Sequence, residues 1–132
     1  MIARFTIGEL ARRTGVGIEA IRFYEKIGLT ARPARTSNGR RAYGPEDVEA
    51  LRFIKEARRF GFSLKDVSAL LALRNKRDFV LARTIAEDHL KEIQQQLRDL
   101  RAREKVLIDA ISRCPGEGGT KCTVLEIFEA AA

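Results

Sequence analysis

The chain has 132 residues, with 25 Lys/Arg against 18 Asp/Glu and a formal net charge of +7. That length admits one modest domain, or a small domain with an appendage. No apolar run approaches the roughly 20 residues that cross a bilayer, and the N-terminus lacks a signal peptide's apolar core, so a cytoplasmic protein with no membrane partner is expected.

The charge is uneven. Residues 1–62 hold 13 Lys/Arg and 7 Asp/Glu, a net of +6, whereas residues 63–132 hold 12 and 11. A basic excess confined to one half points to a polyanion partner for that half. Enzyme chemistry has little to stand on: there is no phosphate loop, no nucleophile–base spacing, and a single histidine, His89.

In chain order, Thr6 is placed to cap a helix Ile7–Thr14, with Glu9 completing a capping box and Ile7, Leu10 and Ala11 forming its apolar stripe. Gly15 ends it. A second helix runs from Ile18 to about Ile27, with Arg22 and Lys26 on one face and Gly28 as its stop. Two short helices joined by a glycine-containing turn make a helix-turn-helix, whose second helix reads DNA. Between positions 22 and 41 stand Arg22, Lys26, Arg32, Arg35, Arg40 and Arg41 against Glu25 alone. Leu29–Tyr43 reads as a wing: Pro33 excludes a helix, and Ser37-Asn38-Gly39 marks a tight turn.

Pro45 or Glu46 opens a third helix to about Phe60, with Val48, Leu51, Phe53/Ile54 and Ala57 inward. Ser63 caps a fourth, Leu64–Leu73, with Val67, Leu70 and Leu71 as its core stripe. From Phe79 the pattern changes. Ala86, Leu90, Ile93, Leu97, Leu100, Glu104, Leu107 and Ile111 step by four and three, a heptad seam on a helix capped by Asp78 and ending near Ser112. Such a seam calls for a second copy; the alternative is packing against the chain's own N-terminal half. His89 reads as a polar helix-surface histidine. Then Cys114 and Cys122 flank seven residues that include Pro115, Gly116, Gly118 and Gly119, a loop able to bring both sulfurs together. Thr123 is expected to cap a last helix, Val124–Ala130. In the expected compartment the two thiols read as metal ligands or redox thiols, with a structural disulfide disfavoured.

The segments FTIGELARRTGV, IRFYEKIGL, NGRRAY and ARRFGFSLKDV, followed by the long helix, are the markers of a family. The chain resembles the MerR family of bacterial transcriptional activators over nearly its whole length. It departs from the family pattern at Ala20, Phe23 and Arg40, where threonine, tyrosine and tyrosine are usual. The resemblance implies a mainly α protein: a winged helix-turn-helix DNA-binding domain with connecting helices in residues 1–75, a long coiled-coil dimerisation helix in 76–112, and a metal-binding loop and short helix in 113–132. It implies an antiparallel homodimer on double-stranded promoter DNA, which realigns an overlong promoter spacer for RNA polymerase by distorting the duplex. By motif match, Arg22 and Tyr24 of the recognition helix and Asn38, Arg40, Arg41 and Tyr43 of the wing are the DNA-contact candidates. Tyr24 has packing between helix and wing as its alternative, and Arg32 and Arg35 have plain solvation.

The cysteine loop looks like the metal loop of the family's metal-sensing branch, which makes Cys114 and Cys122 the candidate ligands. Two thiolates suit a soft monovalent effector, Cu(I) with Ag(I) and Au(I) as relatives, whereas structural zinc takes four ligands. Members that sense Zn(II), Hg(II), Cd(II) or Pb(II) carry another cysteine near the start of the long helix, and copper-responsive members a serine; Phe79 or a neighbour occupies that region here. The expected function is a metal-responsive regulator activating a metal-resistance or efflux promoter, with no organic cofactor. A thiol-redox regulator on the same scaffold and a sensor of a divalent soft metal are the alternatives.

Overall fold

A computed structural model describes residues 4–35, 39 and 41–130. Among these the protein is mainly helical. In chain order it has α1 (Ile7–Thr14), α2 (Ile18–Lys26), β1 (Ala34–Arg35), β2 (Arg41–Ala42), α3 (Pro45–Arg59), α4 (Leu64–Lys76), α5 (Phe79–Arg113) and α6 (Thr123–Ala130). The chain divides into two units, Met1–Ile85 and Ala86–Ala132. No helix among the described residues is long and apolar enough to cross a membrane.

The first unit is built from well-terminated short helices. The Thr6 hydroxyl accepts from Glu9 N (3.2 Å) while the Glu9 carboxylate accepts from Thr6 N, the expected capping box. Gly15 closes α1 in the left-handed region. Two cations from α3 then cover its last carbonyls: Arg52 donates to Arg13 O (3.1 Å) and Lys55 to Thr14 O (3.4 Å). Past the end of α2, Gly28 N reaches Glu25 O and Leu29 N reaches Tyr24 O, the two crossed bonds of a Schellman stop, with Gly28 at φ +78°. The same pair recurs beyond α3, from Gly61 N to Arg58 O and from Phe62 N to Ala57 O. Ser63 caps α4 through Asp66 N. That helix runs one turn past the expected Leu73, and Arg77 takes the left-handed stop that glycine usually fills.

These stops turn the apolar stripes inward. Leu10, Ile21, Leu51, Ile54 and Val67 are fully buried in one cluster with Val16, Leu29, Tyr43 and Val48. Five such side chains represent on the order of 1.5–3 kcal/mol each of transfer free energy. Of the pair Phe53/Ile54 it is Ile54 that enters the core. The wing is a short antiparallel ladder, Ala34 opposite Ala42 and Arg35 opposite Arg41. It continues into a bridge absent from the sequence reading: Phe5 and Tyr43 exchange both backbone bonds, 2.7 and 2.9 Å.

The second unit is a helix with little core. Asp78 accepts from Leu81 N at the start of α5, as expected. Leu90, Leu97, Leu100, Leu107 and Ile111, all seam positions, are exposed within the protomer. α6 lies beside α5, where Val106 and Leu107 face Ile127 and Phe128 across an apolar cleft. His89 departs from expectation. It is only 9 % exposed, with Nδ1 3.4 Å from a Glu92 carboxylate oxygen one turn on. A seam pattern counts apolar positions, so it could not reveal that the residue beside Leu90 is buried.

Candidate functional site

Two sets of residues carry chemistry, one in each unit. In the first, α2 turns Glu19, Arg22, Phe23 and Lys26 outward, one face at steps of three and four. Phe23 is 46 % exposed there, a large apolar ring beside two cations. Tyr24 lies half-buried against the core cluster, its ring tilted 52° to that of Phe23. Lys26, Arg32 and Arg35 line a cleft of about 270 Å³ with Glu25 and Pro33. Three cations around one open cleft form a local positive field, which suits a phosphate backbone. Arg35 is also engaged by structure: it donates to Gly39 O at 2.8 Å, bracing the wing turn, so it is more than solvated charge.

The wing candidates separate. Asn38 and Arg40 lie outside the described residues. Arg41 is placed on β2, opposite Arg35. Tyr43 is corrected: it is 2 % exposed, and its hydroxyl donates to Glu25 Oε1 at 2.5 Å. Its ring belongs to the core and its hydroxyl ties the wing to α2. The motif match located it on the wing correctly, but the side-chain alternation that turns it inward depends on where Phe5 pairs.

The second set is the thiol loop. Cys114 follows α5 directly, and its N–H donates to Ile111 O (3.2 Å). Gly116 and Gly118 both adopt positive φ, which lets the loop reverse tightly. At Gly119 the requirement is spatial: a Cβ would sit 2.1 Å from Cγ of the Pro115 ring. The loop thereby brings the two sulfurs to 3.5 Å, each half-buried.

Cys122 also corrects the expected cap. Its carbonyl accepts from Glu126 N at 3.1 Å, so Cys122, one residue before the expected Thr123, is the N-cap of α6. The Leu125 and Val124 N–H groups of the helix start lie within reach of its sulfur. The Leu125 N–H, then the Cys114 thiol and the Val124 N–H, hold the Cys122 thiol below its usual pKa despite desolvation and the carboxylate of Glu126. A single sequence offers a signal for this only in hindsight: a cysteine directly before a helical run. Among the described residues no group of three or more His, Cys, Asp or Glu side chains is gathered for a metal. The donor set is two sulfurs, one biased to thiolate, which fits a soft ion.

Comparison with known proteins agrees with the fold. Residues 5–73 match the model of the MerR HTH family regulatory proteins, and residues 48–110 that of the MerR DNA-binding region. The mercuric resistance operon regulatory protein of Pseudomonas fluorescens is 34% identical over 132 residues, covering 99% of this chain and 92% of that one. The HTH-type transcriptional regulator HmrR of Rhizobium leguminosarum bv. viciae is 39% identical over 122 residues, covering 91% and 94%. The crystal structure of the transcription regulator PbrR691 from Ralstonia metallidurans CH34 in complex with lead(II) superposes with a TM-score of 0.79 at 27% identity, over 94% of this chain and 98% of that one. The chain belongs to the MerR family of helix-turn-helix regulatory proteins and is a transcription regulator, not an enzyme.

Proposed function

We propose that this protein is a metal-responsive regulator that binds promoter DNA through its first unit and a soft metal ion through Cys114 and Cys122. The observation that carries the effector reading is the sulfur pair, 3.5 Å apart at the N-terminus of α6. A soft ion would supply two strong metal–thiolate bonds across the loop. The residues do the rest: Cys114 stands at the end of α5 and Cys122 at the start of α6, so closing the pair fixes one helix end against the other.

The identity of the ion is where sequence and relatives pull apart. Donor count alone led to Cu(I), Ag(I) or Au(I). Relatives named for mercuric resistance and a neighbour holding lead(II) favour a divalent soft ion instead. Hg(II) satisfies both arguments, because it accepts two thiolates in near-linear geometry as the coinage ions do. We rank it first, and the monovalent ions second on the two-donor set. Zn(II) ranks low, with two protein ligands where a protein site usually supplies three or four.

On the DNA side, Arg22, Phe23 and Lys26 of α2 face outward to meet a groove, and the wing residues Asn38, Arg40 and Arg41 flank it at the backbone. The exposed seam of α5 pairs two copies, so that two such units act on one duplex. Control of RNA polymerase then follows from the energy of deforming the promoter.

The test is transcription from the protein's own promoter across buffered Hg(II), Pb(II), Cu(I) and Zn(II), on wild type, Cys114→Ser and Cys122→Ser. Hg(II) is expected to induce at the lowest free concentration, and both serine variants are expected to bind the promoter without responding. Full response in the serine variants, or Zn(II) acting first, would overturn the two-thiolate site. Induction by oxidant without any metal response would move the assignment to a thiol-redox regulator.

A further inference from the structure

The recognition helix carries a carboxylate that its DNA-binding role does not account for. Between positions 22 and 41 Glu25 is the lone acidic residue among six cations. A carboxylate held near phosphates opposes binding, and neutralising it ordinarily strengthens the complex. Yet Glu25 is off the outward face formed by Glu19, Arg22, Phe23 and Lys26, and it is half-buried.

We propose that Glu25 is a positioning residue that sets the wing against the recognition helix through the Tyr43 hydroxyl. Four observations meet at this point. The O–H···O contact is 2.5 Å, short and charge-assisted. Leu10, Ile21 and Leu51 line the same small space together with Thr30 and Asp47, so the bond is partly withdrawn from water. Tyr43 directly follows β2, so holding it holds the return strand of the wing. Its backbone is clamped in turn by both bonds to Phe5.

The wing is therefore anchored on two sides, by backbone to the N-terminal segment and by side chain to α2. Glu25 and Tyr43 stand eighteen positions apart in sequence, yet their contact joins the helix and the hairpin into one reading head. The wing ladder itself is two residue pairs long, so this contact adds to the Phe5 bridge in fixing its angle.

The inference rests on the DNA-binding reading, and the experiment separates the two. Wild type is first used to select an operator from randomised duplexes; failure to enrich any sequence would overturn the DNA reading itself. On the selected operator, Glu25→Ala and Tyr43→Phe are each expected to weaken binding about tenfold, the scale of one hydrogen bond to a charged group. The double variant is expected to lose no more than either single one, because both remove the same contact. Glu25→Gln, which keeps an acceptor, is expected to recover part of the loss. Tighter binding by Glu25→Ala or Glu25→Gln would identify Glu25 as a merely repulsive charge and overturn the proposal. Additive losses would do the same. If Glu25→Ala fails to fold by circular dichroism, the Glu25→Gln and Tyr43→Phe cycle carries the test unchanged.

Discussion

The two units of this protein are stabilised in opposite ways. Met1–Ile85 gathers five fully buried aliphatic side chains from α1, α2, α3 and α4 into one cluster. Among the described residues of Ala86–Ala132 the buried ones are His89 and Ala110, while leucines and isoleucines of α5 and Leu125 and Phe128 of α6 stay exposed. The first unit has a core of its own, although Phe23, Phe60 and Phe79 stay exposed on it. The second leaves its α5 seam for something else to cover, and a heptad seam of this kind is best covered by its own copy. The first unit can thus hold its shape by its own core, while the proposed sensing end would depend on what covers its seam.

The comparison breaks most visibly at Leu97, a seam position 45 % exposed in the protomer. Leu97→Asp would place a charge in the paired interface, at a cost on the order of several kcal/mol. Sedimentation is expected to show a monomer, and operator binding to collapse with it. A dimer that survives the change would locate the interface elsewhere.

The complementary change is Ile54→Ala in the first unit. Ile54 is fully buried at the centre of the α3 stripe, so roughly 2–5 kcal/mol of stability is expected to be lost. Thermal melting followed by circular dichroism measures it, and the dimer is expected to persist below the melting point. Loss of the dimer before the head unfolds would contradict the independence of the two units.

A smaller effect is expected at Gly119, where a Cβ would meet the stiff Pro115 ring. Gly119→Ala is expected to spread the sulfurs and weaken metal binding about tenfold, while operator affinity and melting stay at wild-type values; a competing chelator reads out the first. Unchanged metal affinity would mean that the loop adapts freely.

The smallest effect is a pH dependence at Cys122. Its pKa is lowered by the Leu125 N–H at the start of α6, so the thiolate form is the one the fold favours. That contribution is present above the ordinary thiol pKa and is lost as pH falls through the lowered value. Alkylation of Cys122 is expected to proceed at a pH where an unstructured cysteine is still largely protonated. Reaction only in the ordinary thiol range would remove the helix-start effect.

Much of the fold was legible because its signals are local. The capping box of Thr6 and Glu9, the Ser63 and Asp78 caps, and the stop at Gly28 each involve residues within five positions of one another. Backbone groups at helix ends must be satisfied by neighbours, so residue type and spacing suffice to place them. The heptad seam is legible for the same reason, since helical geometry alone assigns its face. The loop glycines announced that Cys114 and Cys122 can meet, and family motifs located the recognition helix and wing.

What tertiary structure alone decided is where distant segments dock. The inward turn of Tyr43 onto Glu25, the Phe5 bridge, the covering of α1 by Arg52 and Lys55, and the burial of His89 had no local signature. Each depends on packing between residues many positions apart, or on which side of an amphipathic segment finds a neighbour. Cys122 is the borderline case. Its spacing from Cys114 was plain, but its place as the N-cap of α6 became visible only when its carbonyl met Glu126 N and its sulfur met the helix N–H groups. Sequence periodicity states which groups need partners; the folded backbone decides which partners are near enough to serve.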